Sequence, residues 1–114
     1  MKIERTQDGS VTVVAIEGVI KLGESARQFS TYLEGLLDEG VPSVLVDLSR
    51  IDYVDSTGLG ELVGYLQRFI ESGRRLALLR PHKRIVSLLK LTKLDEVFPI
   101  FDDHATAVSA LGSA

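Results

Sequence analysis

At 114 residues with a formal net charge of −3, the chain is sized for one domain, 1–114, with a core covering roughly two thirds of its surface. It has no cysteine, which excludes a disulfide framework and a thiolate metal site, and no run reaches the roughly 20 apolar residues of a bilayer span. A slightly acidic chain without Trp suits neither a phosphate backbone nor base stacking, so no nucleic-acid partner is expected.

The segment from Met1 to Asp8 is polar and lacks the apolar core of a signal peptide, so the chain reads as cytoplasmic with no direct membrane insertion. Ile3 to Thr6 predicts a short polar strand, Asp8-Gly9 a two-residue hairpin, and Val11 to Ile16 a second strand paired back on the first. Gly18 is expected to end that strand, with Val19 to Leu22 crossing as a loop. Glu24 to Glu39 is helical, with Ala26, Phe29, Leu33, Leu36 and Leu37 inward; Gly40 closes the helix and Pro42 prevents continuation. Val44 to Leu48 is an apolar interior strand, followed by a loop from Ser49 to Asp55.

Thr57 to Glu71 predicts a second helix, with Leu59, Leu62, Val63, Leu66, Phe69 and Ile70 on one stripe. Leu76 to Leu79 is a fourth strand. Pro81 opens a third helix with Ile85, Leu88 and Leu89 inward. Val97 to Phe101 is a fifth strand, placed at an edge because Pro99 cannot donate to a ladder. Asp102-Asp103 start a last short helix with Ala105, Val108 and Leu111 inward. The order β-β-α-β-α-β-α-β-α predicts an α/β fold. Its sheet is mixed and five-stranded, an N-terminal hairpin followed by parallel β-α units, with about four helices.

The stretch from Asp52 to Gly64 organises the rest, because it joins the interior strand to the central helix. Asp55 and Ser56 stand where an N-cap is wanted. Gly58 and Gly60 fall in the first helical turn, where each costs about 0.5–1 kcal/mol against Ala; close approach by a partner or helix-to-sheet packing would explain them. Gly64, deeper in the helix, reads as a packing glycine. Ser56-Thr57 puts two hydroxyls beside the unpaired N–H groups and positive dipole end of a helix, which would stabilise a phosphate.

Asp55-Ser56-Thr57-Gly58-Leu59-Gly60 resembles the signature of the STAS domain, and most resembles the stand-alone bacterial anti-sigma factor antagonists. The resemblance spans about Lys2 to Leu111. It implies that Ser56 is phosphorylated by a partner anti-sigma factor that is also a serine protein kinase, with Thr57 as backup acceptor. It also implies that a PP2C-type phosphatase resets the switch. Unphosphorylated, the chain would hold the anti-sigma factor; phosphorylated, it would release it. The expected partner surface is Lys21, Asp55, Ser56, Thr57, Gly58, Leu59 and Gly60. Relatives often carry an acidic residue near Lys21, where this chain has Gly18-Val-Ile-Lys21. The alternative role is a scaffold or adaptor subunit of a stress-signalling or membrane transport complex. Monomer and dimer stay equally open.

Plainer readings stand beside these. Ser56 and Asp55 serve equally as helix caps, although Leu59 stands where a capping box needs Glu or Gln. Lys21 serves as a solvated loop charge, and Arg74, Arg75, Arg80, His82, Lys83 and Arg84, which bracket the fourth strand, serve as solvated charges at element ends or as contacts to an acidic partner. No enzyme, cofactor or metal site is expected. Val54 breaks a Gly-x-Ser-x-Gly elbow, and the spacing of Gly58, Gly60 and Gly64 misses the dinucleotide fingerprint. His82 and His104 begin distant helices and lack ligand spacing.

Overall fold

The computed structural model describes residues 2–20 and 24–112. A five-stranded sheet runs in the order β1-β2-β3-β4-β5, formed by Lys2–Asp8, Val11–Ile20, Ser43–Val54, Arg75–Leu79 and Ile100–Phe101. β1 is antiparallel to β2, and the other three pairings are parallel. The helices are α1 (Glu24–Glu39), α2 (Ser56–Glu71), α3 (Lys83–Leu91) and α4 (His104–Gly112), with a 3₁₀ turn at Leu94–Glu96. This is the expected α/β architecture, with the polar first strand and the Pro-bearing segment at the two edges.

Alternation along the strands sorts the core into two layers. Val14, Ile16, Val44, Val46, Leu48, Leu76 and Leu78 face one way and meet Phe29 and Leu33 of α1, Leu66 and Phe69 of α2, and Ile85 and Leu89 of α3. Val11, Val13, Leu45, Ala77 and Leu79 face the other way and meet Ala107 and Leu111 of α4. A sheet buried on both faces needs apolar residues at consecutive positions, as Val44 to Val46 and Leu76 to Leu79 supply.

Several boundaries differ from expectation, each for a local reason. The hairpin pairs Asp8 with Val11, so its two loop residues are Gly9 and Ser10, with the left-handed position (φ 60°) taken by Gly9. β2 does not end at Gly18. It passes through Gly18 at φ 115° and continues to Ile20, with register shifts between Ala15 and Glu17 and between Gly18 and Val19. The expected loop from Ser49 onward is strand, because residues 50–54 pair with residues 17–20 after β4 has left the ladder at Asp47.

At the other edge, β5 contains only Ile100 and Phe101. The 3₁₀ turn ends at Val97, and buried Phe98 carries the chain into the core before the strand begins. α3 starts at Lys83 rather than Pro81, capped by His82, whose Nδ1 accepts the Arg84 N–H at 3.3 Å. In α4, Ala105 faces solvent and Ala107 takes the buried position.

Candidate partner-binding site

β3 ends at Val54 and α2 begins at Ser56, so Asp55 alone separates strand from helix. Ser56, Thr57, Gly58, Leu59 and Gly60 are the first five residues of α2, one residue earlier than the periodicity predicts. Asp55 is half-buried. The last register pair of the sheet's central ribbon is Ile20 with Val54. The C-terminal ends of β2 and β3 therefore leave the sheet side by side, which is where open α/β sheets present binding loops. Lys21 and the two residues after it lie outside the described residues.

The glycines of α2 separate two explanations. Gly60 and Gly64 are both exposed, and a Cβ built on either would meet nothing within 4 Å. Neither is needed for packing against the sheet, which removes that explanation for Gly60 and corrects the reading of Gly64. They are four residues apart, so they share one outward face of the helix. Val63, Leu66 and Phe69 occupy the opposite, buried face.

The basic residues bracketing β4 separate in a way the sequence does not show. Arg74 donates to the Leu37 carbonyl at 3.0 Å and lies 5.9 Å from the Phe69 ring centroid. Arg75 donates to the Leu111 and Ala110 carbonyls at 3.1 and 2.9 Å. These guanidinium groups satisfy helix C-terminal carbonyls on α1 and α4, where the dipole favours a cation. Neither is a plain solvated charge. Arg80 donates through Nε to the Asp102 carbonyl at 2.8 Å, tying the end of β4 to the entry of α4.

α4 has its own cap. Asp103 Oδ2 accepts from the Thr106 hydroxyl at 2.8 Å and the Thr106 N–H at 2.9 Å. Those two hydrogen bonds, the hydroxyl first, hold its carboxyl below the usual carboxylate range, helped by the nearby Arg80 charge. His104 Nε2 lies 3.2 Å from Asp8 Oδ2, linking α4 to the β1–β2 hairpin. Among the described residues no cluster of His, Asp or Glu could hold a metal ion. No helix among them is long and apolar enough to cross a membrane.

One concavity adjoins the site and another lies apart from it. A notch of about 50 Å³ lies beside it, lined by Ile51, Asp52, Tyr53, His82 and Arg84. Nothing in the sequence pattern singles out this pairing of the end of β3 with the start of α3. A larger groove of about 730 Å³ runs between β1 and α1, past Arg5, Tyr32, Leu36 and Glu39, and touches no residue between 52 and 60.

An antiparallel hairpin feeding parallel β-α units, with the strand-to-helix turn at Ser56 on the open end of its central ribbon, defines a small mixed-sheet α/β class. A model of the STAS domain matches residues 2–107, and the chain belongs to that family. A Thermotoga maritima protein provisionally named an anti-sigma factor antagonist is 30% identical over 86 residues, covering 75% of this chain and 76% of its own. A Thermotoga maritima crystal structure under the same provisional name superposes with a TM-score of 0.82 at 24% identity, over 96% of this chain and 93% of that one. The fold is also that of the anti-sigma factor antagonist SpoIIAA. Its unphosphorylated form superposes at TM-score 0.70 and 16% identity, over 99% of this chain and 100% of that one. Its phosphorylated form superposes at 0.74 and 14% identity, over 96% and 98%.

Proposed function

We propose that this chain is an anti-sigma factor antagonist working as a phosphorylation-controlled binding module. The observation that carries the reading is the position of Ser56 as first residue of a 16-residue helix at the open end of the β2–β3 ribbon. A helix N-terminus accommodates a phosphate dianion locally, so modification there need not disturb the core. The exposed Gly60 and Gly64 leave the outer face of the same helix open to close approach. SpoIIAA, which shares the fold, is described in unphosphorylated and phosphorylated forms.

Unphosphorylated, the chain holds an anti-sigma factor that is also a serine protein kinase, through Asp55, Ser56, Thr57, Gly58, Leu59, Gly60 and Lys21. The kinase transfers phosphate to Ser56, or to Thr57 as backup. That adds about −1.5 to −2 charges beside Asp52 and Asp55. A partner surface that packed on a neutral hydroxyl then faces a desolvated, unpaired anion. A loss of about 3–5 kcal/mol suffices for release, because each 1.4 kcal/mol is tenfold in affinity. A PP2C-type phosphatase restores the binding form. The chain itself is not an enzyme, and its place of action is the cytoplasm.

Peptide mass mapping of protein purified from its native cells, with Ser56→Ala and Ser56→Asp forms as baits, tests this. The expected result is phosphate on Ser56 and a kinase-fold partner held by Ser56→Ala but lost by Ser56→Asp. No phosphate on Ser56 or Thr57, with identical partners on both baits, would sink the switch and favour the scaffold role.

A further inference from the structure

We propose that the notch between the end of β3 and the start of α3 is a second docking point for the partner that Ser56 controls, and that it receives an acidic side chain of that partner; the inference rests on the switch reading above. Topology places the notch at the switch. β3 and β4 are adjacent parallel strands, so α2 and α3 both begin at the same end of the sheet. The notch is lined by Asp52 and Tyr53 from the strand that delivers Ser56, and by His82 and Arg84 from the α3 start.

Size excludes a small-molecule ligand. Pockets for such ligands run to about 300–1,000 Å³, whereas this one holds about 50 Å³. It has room for one side chain.

Charge selects which side chain. Arg5, Arg50 and Arg68 are paired with Glu39, Glu17 and Glu34. Arg74, Arg75 and Arg80 donate to backbone carbonyls. Among the described residues the side chains of Arg27, Lys90 and Lys93 also lack a carboxylate partner, but Lys83 and Arg84 are the two such cations at the α3 start, on the same end of the sheet as Ser56. Both are exposed at the first turn of α3, where the helix dipole makes their positive charge still less favourable. Retaining two cations there, without an internal partner, fits an external carboxylate. His82 accepts the Arg84 N–H on Nδ1, which leaves Nε2–H as a further donor. Tyr53, 46% exposed, supplies the aromatic surface that interface cores favour, with Arg84 beside it. Asp52, also in the lining, repels a misplaced acid and so fixes the register of docking.

The test uses the full-length chain and the purified kinase that Ser56→Ala retains, by titration calorimetry. In the Ser56→Ala background, Arg84→Glu and Tyr53→Ala should each weaken binding roughly tenfold or more. Lys90→Glu makes the same charge change at the other end of α3 and should stay within about twofold. The salt dependence of binding should flatten in Arg84→Glu. All three side chains are exposed, so circular dichroism melts should match the parent. Binding lost in Ser56→Asp but kept within about twofold in Arg84→Glu and Tyr53→Ala would overturn the notch and leave the switch standing. Equal binding by every form, Ser56→Asp included, would overturn the switch and the notch with it.

Discussion

A methyl group on Gly60 would meet nothing within 4 Å, so the protein keeps a helix-weakening residue where the fold does not ask for one. Gly60→Ala should therefore stabilise the chain by about 0.5–1 kcal/mol, read from urea midpoints, while weakening capture of the kinase. Stabilisation with unchanged capture would show that no partner backbone approaches there. Asp103 carries an opposite kind of message, structural and pH-dependent. Its carboxyl is held below the usual range by Thr106, so the cap contributes fully above the ordinary carboxylate value and fades as pH falls through the lowered one. The gap in urea midpoint between the parent and Asp103→Ala should be open at pH 7 and should close below about pH 4. A gap unchanged at low pH would remove the charged cap as its cause. Both residues illustrate what a sequence holds at this scale. Asp103 as a helix start was legible, because Asp before a helix has a local meaning. The open surroundings of Gly60 were not, since a glycine needed for packing and one left open look identical in a string of letters.

At the scale of elements, long apolar periodicity was the readable signal. Val63, Leu66 and Phe69 lie buried as their spacing predicts, and the apolar β3 and β4 runs are interior strands. Phe69 is fully buried and carries the Arg74 guanidinium over its ring. Phe69→Ala should cost about 3–5 kcal/mol by chemical denaturation, from lost burial and the cavity left behind. A cost under about 1.5 kcal/mol would mean that α2 relaxes onto the sheet far more than a packed core allows. The ends of β2 and β3 were not legible. Ser49, Arg50 and Asp52 are polar, and Gly18 lies opposite Ile51, so the stretch has the composition of a loop. It is held extended by its ladder to the neighbouring strand, and a ladder is a tertiary fact. Asp47 marks the departure from β4, its Oδ1 accepting the Ser49 N–H at 3.0 Å and the Ser49 hydroxyl at 2.7 Å. The same limit hid the notch, since residues 52–53 and 82–84 meet only once β3 and β4 are paired.

For the whole molecule, the arrangement separates the packed core from the end of the sheet where the proposed switch lies. The two buried layers lie on the faces of the sheet, whereas Ser56, the β2 end and the α3 start lie at its open end. Charge added at that end meets helix N–H groups and solvent rather than the packed residues around Phe69 and Leu78. A phosphate on Ser56 should therefore act on the partner without refolding the chain. Amide hydrogen exchange compared between unphosphorylated and Ser56-phosphorylated protein should change only at the first turn of α2 and its neighbours in residues 52–55. Protection of β3 from Val44 to Leu48, of β4, and of the Leu66 to Ile70 turn should be the same in both forms. If protection of those core amides fell on phosphorylation, release would operate by loosening the fold, and repulsion at the interface would no longer be its explanation. The mixed topology makes the second outcome structurally distinct, because α1 and α2 pack on the same layer and loosening one would expose Phe29 and Leu33 of the other. A switch by local repulsion leaves that layer, and α4 on the opposite face, as they are.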